Sequence, residues 1–260
     1  MANRAITLPQ SRSSGFGERK SLSATNLKAP LATATISVVM PCLNEEETVA
    51  ACVRKALGWL EASGLTGEVI VVDNGSTDDS ARLAGEAGAR VVNESRKGYG
   101  AALRRGFSEA TGDWLIMGDA DDTYDFSDLA DMVTPLAQDY DFVVGNRFGP
   151  RLAPGAMTWS HRYIGTPILS FLLRVLTGLK LTDSQCGLRA FTRSALEKLD
   201  LKTEGMELAS EMIVKAKRRS LRTYEVPISY GERLGETKLN TIRDGWRHLS
   251  YLIRETVTRG

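Results

Sequence analysis

Short apolar runs alternate with segments of helical spacing along this chain, beginning at Ile36. The apolar runs are rich in β-branched residues, and each stops at a proline, a glycine or a polar residue. Uninterrupted apolar strands that alternate with helices are typical of a parallel sheet covered on both faces. The pattern predicts strands at residues 36–40, 69–72, 90–92, 114–117 and 142–144.

The segments between these strands have the spacing of amphipathic helices. They predict helices at about residues 45–62, 78–87, 99–110 and 126–136, and a further strand is predicted at 221–226. The fold class is therefore α/β, and ligands of such sheets bind beyond the carboxyl ends of the strands. Polar or carboxylate residues follow three predicted strands, at 41–45, 73–75 and 118–122, so we expect a binding site at that edge of the sheet.

Composition leaves this picture unchanged and excludes several classes of protein. The chain has 260 residues, of which 42% are hydrophobic and 25% charged, which excludes a coiled coil, a collagen-like chain and a wholly disordered protein. The net charge of +1 produces no strong positive potential that would attract nucleic acid, so no nucleic-acid partner is expected. The three cysteines are too scattered for a disulfide framework or a zinc site. No apolar run is long enough for a membrane-spanning helix or a signal-peptide core.

Residues 1–34 differ in composition from the rest and predict a flexible basic tail, followed by one domain over residues 35–260. The tail has one acidic residue, Glu18, and too little apolar surface to offset the entropy of ordering. Three interpretations stay open, namely a solvated tail, a contact with an anionic membrane, or a transit peptide. The basic residues of the tail are Arg4, Arg12, Arg19, Lys20 and Lys28.

Three carboxylates, Asp119, Asp121 and Asp122, follow the predicted strand at 114–117. Like charges this close repel one another unless a cation neutralises them. Oxygen ligands suit Mg²⁺ or Mn²⁺, which bind through a few carboxylates together with substrate phosphates. The segment therefore predicts a divalent-cation site, and the alternative is a solvated acidic turn that caps the next helix.

Two further segments carry weaker signals. Asp73, at the end of the second predicted strand, could accept hydrogen bonds from a base or a ribose, or could belong to an ordinary strand–turn–helix connection. Glycines in residues 97–106 could let backbone N–H groups face a phosphate at a helix N-terminus. Neither a dinucleotide fingerprint nor a P-loop is present.

The apolar segment at residues 164–181 has only a narrow polar stripe, formed by Ser170, Arg174 and Thr177. It is too short and too charged to span a bilayer, yet its apolar face is wide for a half-buried helix. The pattern predicts an amphipathic interface helix in a membrane surface. A subunit contact and burial within its own domain are the alternatives.

These segments, in this order, resemble the inverting family-two glycosyltransferases with the GT-A fold, which have a Rossmann-like, mostly parallel sheet with helices on both faces. Later segments at 144–148, 181–191, 205–211 and 225–239 narrow the resemblance to the polyprenyl-phosphate glycosyltransferases, similar to dolichol-phosphate mannose and glucose synthases. The resemblance covers about residues 35–250.

The resemblance implies roles for individual residues. Asp119 and Asp121 match an Asp-x-Asp metal site, with Asp121 the direct ligand, and Thr123 stands where relatives often have Gln, which leaves the further ligands open. Asp183 and Arg189 match the acceptor-side segment. The implied catalytic residues are Asp121, Asp183, Arg233 and Lys238. The implied nucleotide-sugar contacts are Pro41, Asn44, Glu45, Asp73, Lys97, Gly98, Asp119 and Ala120, and the implied acceptor or phosphate contacts are Arg147, Arg189, Arg233 and Lys238.

The implied reaction transfers a hexose, with inversion, from a nucleotide-sugar to a polyprenyl phosphate. UDP-glucose or UDP-N-acetylglucosamine is favoured over GDP-mannose as the donor, and Mg²⁺ or Mn²⁺ would stabilise the leaving diphosphate. The attacking phosphate oxygen is already ionised, so the reaction needs cations that bring two anions together rather than a strong base. Arginine suits that task because it binds phosphate bidentately.

The expected partners are the donor, the lipid phosphate and a membrane surface, with a homo-oligomer or a membrane subunit as further partners. The expected location is cytoplasmic, peripheral at the cytoplasmic membrane face. Many members of this branch carry carboxyl-terminal transmembrane helices, and none appears in this sequence. The alternatives are a soluble glycosyltransferase with a small-molecule acceptor and a catalytically silent nucleotide-sugar-binding subunit, and the Asp119 and Asp121 pair argues against the silent subunit.

Overall fold

The computed structural model describes residues 33–233 and 241–257. Lys238 and all but the last two residues of the predicted tail lie outside this range. The first half of the domain alternates strands and helices, as predicted. Its elements are β1 (Ile36–Cys42), α1 (Val49–Ser63), β2 (Gly67–Asp73), α2 (Ser80–Glu86), β3 (Arg90–Asn93), α3 (Tyr99–Glu109) and β4 (Trp114–Met117).

The second half is less regular. Its helices are α4 (Ala130–Val133), α5 (Thr166–Thr177), α6 (Arg193–Leu199), α7 (Leu208–Arg218) and α8 (Thr241–Val257), with a 3₁₀ turn at Leu136–Gln138 and a π-helical turn at His161–Gly165. Its strands are β5 (Phe142–Asn146), β6 (Arg189–Thr192) and β7 (Thr223–Pro227).

The helix predicted at 126–136 is wrong, because only four of those residues form α4. The Asp125 carboxylate accepts hydrogen bonds from the backbone N–H (3.0 Å) and hydroxyl (2.5 Å) of Ser127, and such local bonds compete with a helix. Pro135 has no N–H with which to continue the helical ladder. The apolar periodicity of the segment therefore reflects burial of single side chains rather than one helix.

The described strands form a seven-stranded sheet in the order β3-β2-β1-β4-β6-β5-β7. Strands β1 to β4 are parallel, β7 is parallel to β5, and β6 is antiparallel to both β4 and β5. The predicted α/β class with a mostly parallel sheet is confirmed, whereas β6 was not predicted because its short sequence contains no apolar run. Cys42 pairs with Asp73 and Asp73 with Asn93, so the carboxyl ends of β1, β2 and β3 share one edge.

The core lies on both faces of the central strands. Every residue from Ile36 to Met40 in β1 is fully buried, which requires cover on both faces of the sheet. Helix α3 packs closely over β1 and β2, because a Cβ atom on Gly106 would lie only 2.4 Å from the Val39 side chain. This packing fixes the start of α3 next to the carboxyl edge of the sheet.

Helix α5 has the reverse of the usual orientation. Its polar residues Ser170 and Thr177 are buried together with Leu173, whereas Phe171 and Val175 are 61% and 67% exposed. The alternative that the apolar face is buried within its own domain is therefore wrong for these two residues. Among the described helices, none has the length and apolar composition needed to cross a bilayer.

Candidate active site

The tip of β2 is closed by a turn around Asp73. Its carboxylate accepts hydrogen bonds from the backbone N–H of Ser76 (3.0 Å) and of Gly75 (3.3 Å), and Gly75 has the positive φ of 86° that such a turn needs. The next residue, Asn74, binds the carbonyl groups of Glu94 and Arg96 through its side-chain amide. The predicted nucleotide residue Asp73 therefore stands in a rigid turn that is tied to the end of β3.

The tip of β1 is cross-linked to the same turn. Asn44 adopts a left-handed conformation (φ 51°), and its side-chain oxygen accepts the backbone N–H of Thr77 at 2.7 Å. The backbone N–H of Glu45 donates to the Ser80 hydroxyl at 2.8 Å. Pro41 lies in β1 and pairs in register with Val72. The predicted residues on β1 and β2 thus form one continuous surface at the carboxyl edge of the sheet.

Lys97 and Gly98 lie on the third side of this surface. The Lys97 ammonium group donates to the carbonyl of Asn74 at 2.9 Å, so this cation is held against the β2 tip. Gly98 donates its N–H to the Asn74 side chain at 2.8 Å, and a Cβ atom here would lie 2.1 Å from the carbonyl oxygen of Glu204. The expected nucleotide-sugar contact of Gly98 stays a prediction, and in the structure this glycine allows close packing of the loop at Glu204.

Asp119 and Asp121 follow β4, and neighbouring hydroxyl groups hold both carboxylates. Tyr99 donates its hydroxyl to Asp119 Oδ1 at 2.9 Å. Asp121 Oδ1 accepts the backbone N–H (3.1 Å) and the hydroxyl (2.6 Å) of Thr123, which is buried. Thr123 therefore orients Asp121. Between the two aspartates, Ala120 is buried, and its carbonyl accepts the Thr48 hydroxyl at 2.7 Å.

Arg233 joins the β1 tip to the β4 tip. Its Nη1 lies 2.6 Å from Asp121 Oδ2, and its Nη2 lies 2.5 Å from Glu45 Oε1. The two carboxylates are largely buried, with 5% and 12% of their side chains exposed. The predicted site residues Glu45, Asp121 and Arg233 are therefore brought together from distant parts of the chain. Lys238 lies outside the described residues.

Arg147 and Asp183 form a buried, two-point ion pair. Arg147 Nε lies 2.7 Å from Asp183 Oδ2 and Nη2 lies 2.9 Å from Oδ1, while the guanidinium stacks over the Tyr230 ring at 5.3 Å. Asp183 is completely buried, and its backbone N–H donates to Glu225. The expected catalytic role of Asp183 stays a prediction, and in the structure its buried carboxylate holds Arg147.

Backbone carbonyl groups hold Arg189 in the protein interior. This residue is fully buried in β6, and its guanidinium donates to the carbonyl groups of Cys186, Ser184 and Ala209 at 2.8 to 2.9 Å. Burial lowers the pKa of Arg189, because a charged group is disfavoured away from water. The expectation that Arg189 binds a phosphate stays a prediction, and in the structure its cation ties three backbone segments together.

Sequence reasoning missed two site residues, Tyr99 and Tyr230. Tyr99 stands within the glycine-rich segment but has the appearance of an ordinary helix residue, and its contact with Asp119 depends on the packing of α3. Tyr230 contacts Arg147 and pairs as an isolated bridge with Tyr124. No local signal identifies either role, because both arise from contacts between distant segments.

The pair Asp119 and Asp121 fits a divalent cation that binds together with a diphosphate. Burial, followed by repulsion from Asp121, raises the pKa of Asp119 to about 7, so the charged form of this carboxylate is disfavoured without a bound cation. Within the described residues, no cluster of three His, Cys, Asp or Glu side chains forms a complete metal cage. Mg²⁺ commonly binds through one or two carboxylates plus substrate phosphates, and this donor set meets that requirement.

A cavity of about 250 Å³ is lined in part by the segment that follows Asp121. Its wall includes residues of two segments, 122–125 and 229–231. Two basic residues, Lys55 and Arg151, also line it. Its lining residues include Lys55, Asp122, Tyr124, Arg151, Tyr230 and Gly231.

Two curated relatives cover most of this chain. The low-salt glycan biosynthesis hexosyltransferase Agl6 of Haloferax volcanii is 40% identical over 238 residues, which are 91% of this chain and 56% of Agl6. This chain therefore spans little more than half of that relative. The dolichyl-phosphate hexose transferase of the same organism is 30% identical over 211 residues, covering 81% of this chain and 89% of the relative.

Solved structures with the same fold include glucosyl-3-phosphoglycerate synthase from Mycobacterium tuberculosis. Its complex with Mn²⁺, UDP and glucosyl-3-phosphoglycerate matches with a TM-score of 0.74 and 25% identity, covering 91% of this chain and 85% of that one. Its complex with Mg²⁺ and UDP matches with a TM-score of 0.73 and 25% identity, covering 91% and 84%. The family model described as glycosyl transferase family 2 matches residues 37–200. The fold, the strand-end carboxylates and these matches together show that the chain belongs to glycosyl transferase family 2 and has the GT-A fold.

Proposed function

We propose that this protein transfers a hexose from a nucleotide-sugar to a polyprenyl phosphate at a membrane surface, with inversion. One observation carries the acceptor assignment. The helix that exposes an apolar face, α5, is hydrogen-bonded on its inner side to the residue next to Asp183, the partner of Arg147. A lipid-facing element and a phosphate-binding arginine are thereby held together.

The donor lies, in this proposal, across the tips of β1, β2 and β4. Asn44, Glu45 and Asp73 offer hydrogen-bonding groups for the nucleoside, and Lys97 supplies a cation at the edge of the same surface. UDP-glucose or UDP-N-acetylglucosamine is the favoured donor and GDP-mannose the alternative. Support comes from the structural relative that is solved with Mn²⁺ and UDP.

Asp119 and Asp121 would hold Mg²⁺ or Mn²⁺, with Asp121 the direct ligand. Such a cation supplies positive charge to the diphosphate that leaves. The chain's own residues prepare the two carboxylates, because Tyr99 orients Asp119 and Thr123 orients Asp121 through hydrogen bonds. Preorganised ligands avoid the cost of reorienting the site during the reaction.

Arg147, Arg233 and Lys238 would receive the acceptor phosphate and the donor diphosphate. Asp183 keeps the Arg147 guanidinium in one orientation, so an incoming phosphate meets a positioned cation. In a single displacement, the bond from a phosphate oxygen of the acceptor to C1 of the hexose forms as the bond from C1 to the diphosphate breaks. The configuration at C1 inverts, and no proton has to leave the ionised nucleophile.

Helix α5 would lie in the membrane interface. Ile168, Phe171 and Val175 are 53% to 67% exposed, and an apolar face flanked by basic residues is typical of helices that lie on a membrane. The exposed Arg162, Arg174 and Lys180 would add attraction to anionic lipid. The likeness to a dolichyl-phosphate hexose transferase supports a lipid-phosphate acceptor.

A small phosphorylated acceptor is the second candidate. It is favoured by the likeness to glucosyl-3-phosphoglycerate synthase, which is solved in complex with phosphoglyceric acid. Arginines that meet a lipid phosphate would also meet a small organic phosphate, so the arginines do not separate the two acceptors. The exposed apolar face of α5 favours the lipid.

Transfer assays with labelled donors test the proposal. UDP-glucose, UDP-N-acetylglucosamine and GDP-mannose are each incubated with Mn²⁺ and polyprenyl phosphate in vesicles, with 3-phosphoglycerate, or with neither acceptor. We expect label to enter the organic phase only when lipid phosphate is present, and the Asp121→Asn variant serves as the inactive control. Label on 3-phosphoglycerate with none on lipid would support the second candidate, and hydrolysis alone would contradict both.

A further inference from the structure

The Arg233 guanidinium binds Asp121 Oδ2, next to the position that a cation bound to the same oxygen would take. We infer, on the basis of the proposed donor site and independently of the acceptor, that the Arg233 guanidinium is an internal counter-ion. It neutralises Asp121 and Glu45 in the donor-free protein and leaves Asp121 when the divalent cation and the nucleotide diphosphate bind together. Arg233 thereby makes binding of the divalent cation depend on binding of the nucleotide.

The hydrogen bonds that Asp121 accepts limit where a cation can bind its carboxylate. Oδ1 already accepts the N–H and the hydroxyl of Thr123, and Oδ2 accepts Arg233 Nη1 at 2.6 Å. Asp121 is only 4% exposed, so its carboxylate cannot turn toward solvent to offer another direction. A cation that binds Asp121 through the remaining lone pair of Oδ2 would lie beside the guanidinium, and the two positive charges would repel each other.

The charges explain why displacement requires a nucleotide. Asp119, Asp121 and Glu45 contribute three carboxylates near one guanidinium, and adding a dication beside that guanidinium brings like charges together. Without nucleotide, the guanidinium would have to give up two short ion pairs. A diphosphate offers replacement oxygen atoms, which arginine can bind bidentately.

The backbone that precedes Arg233 is anchored, which favours a change in the side chain over a movement of that backbone. The N–H of Gly231 donates to the Thr123 carbonyl at 2.9 Å, and Tyr230 pairs with Tyr124. The guanidinium can therefore move from Asp121 toward a diphosphate by rotation about its own side-chain bonds. The same anchor keeps Arg233 within reach of Asp121 when the nucleotide leaves.

Manganese binding to the nucleotide-free protein tests this role without any transfer reaction. The electron paramagnetic resonance signal of free Mn²⁺ is titrated against the wild type, Arg233→Gln, Arg233→Lys and Lys55→Gln. We expect Arg233→Gln to bind Mn²⁺ alone about tenfold more tightly than the wild type, within the range usual for coupled sites. Arg233→Lys should stay close to the wild type because it keeps the positive charge.

Lys55→Gln is the matched control. It removes a cation paired at 2.6 Å with Asp122, the neighbour of Asp121, and should leave Mn²⁺ affinity unchanged. With saturating UDP, Mn²⁺ affinity should rise strongly in the wild type and much less in Arg233→Gln. Because coupling between two ligands is reciprocal, Mn²⁺ should raise the affinity for UDP by the same factor.

Three results would overturn the inference. Arg233→Gln could bind Mn²⁺ no more tightly than the wild type, or Arg233→Lys could bind it as tightly as Arg233→Gln. The third such result is a wild-type Mn²⁺ affinity that is the same with and without UDP. The last measurement needs no variant, so a variant that does not fold leaves the inference testable. Asp121→Asn should lose Mn²⁺ binding, and unchanged binding there would contradict the proposed metal site instead.

Discussion

The hydroxyl of Ser170 lies 3.0 Å from the hydroxyl of Ser184, and the same Ser170 oxygen accepts the backbone N–H of Ser184 at 3.1 Å. Ser170 is on the inner face of α5, and Ser184 follows the buried Asp183. A polar contact inside the protein therefore fixes a helix whose outer face is apolar. The position of that outer face relative to Arg147 is set by this contact.

The exposed face of α5 should bind membranes. Phe171→Ser with Val175→Ser should abolish flotation with anionic vesicles and leave the melting temperature nearly unchanged, because both side chains are exposed. Full burial of each would contribute at most roughly 1.5–3 kcal/mol. Leu173→Ala, on the buried face, is the matched control and should instead destabilise the fold by about 2–5 kcal/mol. A wild-type protein that does not float would exclude the membrane assignment.

Asp121→Asn should abolish transfer while the protein remains folded. Losing a metal ligand should lower the rate roughly a hundredfold or more, since several kcal/mol of transition-state stabilisation are removed. A chelator should stop the wild-type reaction, and Mg²⁺ or Mn²⁺ should restore it. The control is Asp125→Asn, which changes an exposed carboxylate of the same segment that binds only Ser127 among the bonds described. Full turnover in excess chelator would rule out the metal role.

Asp183→Asn should destabilise the protein because Arg147 would keep a buried charge without its partner. Breaking such a pair typically costs about 3–5 kcal/mol, which urea unfolding would measure. Replacing both residues together, with Arg147→Met and Asp183→Leu, should recover much of the stability but not the use of lipid phosphate. Normal stability with no activity in Asp183→Asn would show instead that Asp183 takes part directly in the reaction.

Tyr99→Phe should weaken donor use by removing the hydroxyl that orients Asp119. A hydrogen bond to a charged group contributes roughly 1.5–3 kcal/mol, so the KM for the nucleotide-sugar should rise about tenfold or more. The kcat should change less, because Tyr99 acts through Asp119. Tyr140→Phe changes a tyrosine whose ring lies tilted against Tyr224, away from the site, and should leave both constants unchanged. A fall in kcat alone would contradict the positioning role.

Glu68 should make the stability of the domain depend on acid pH. Burial alone would raise its pKa, but hydrogen bonds from Thr111, Arg90 and Ser37 outweigh burial and lower the pKa to about 2. The stabilisation is complete above the ordinary value of 4.5 and is lost as the pH falls from there through about 2.

Glu68→Gln should therefore cost about 1–3 kcal/mol at neutral pH and progressively less below pH 4.5. Urea unfolding over this pH range would measure the difference. Glu109→Gln removes the more exposed partner of Arg90 and should have little effect, because surface ion pairs contribute little. A constant difference between wild type and Glu68→Gln down to pH 2 would contradict this account.

Much of the fold was predictable because its signals are local. Strands β1 to β5 are apolar runs, and α1 to α3 have amphipathic spacing, so their positions follow from the order of residues. Strand β6 was not predictable, since it gains its stability by pairing with β4 and β5 on either side. The helix predicted at 126–136 failed because hydrogen bonds at Asp125 and the missing N–H of Pro135 outweigh apolar periodicity.

The sequence by itself determined which chemistry the site could offer. Carboxylates at the end of β4 favour a cation, and the carboxylate at the end of β2 could accept hydrogen bonds from a base or a ribose, because parallel strands bring their carboxyl ends to one edge. The segment that forms α5 has an unusually wide apolar face, and this width can be read from the sequence alone. These conclusions need only residue types and their spacing.

Only the tertiary structure decided which charged residues face the site. Arg147, Arg189 and Arg233 are alike in the sequence, yet one is paired with Asp183, one is buried among carbonyl groups and one bridges Glu45 to Asp121. Arg233 and Glu45 are 188 positions apart, so no local pattern contains their contact. Burial and pairing of a charge depend on every segment packed around it, and the folded chain alone brings those segments together.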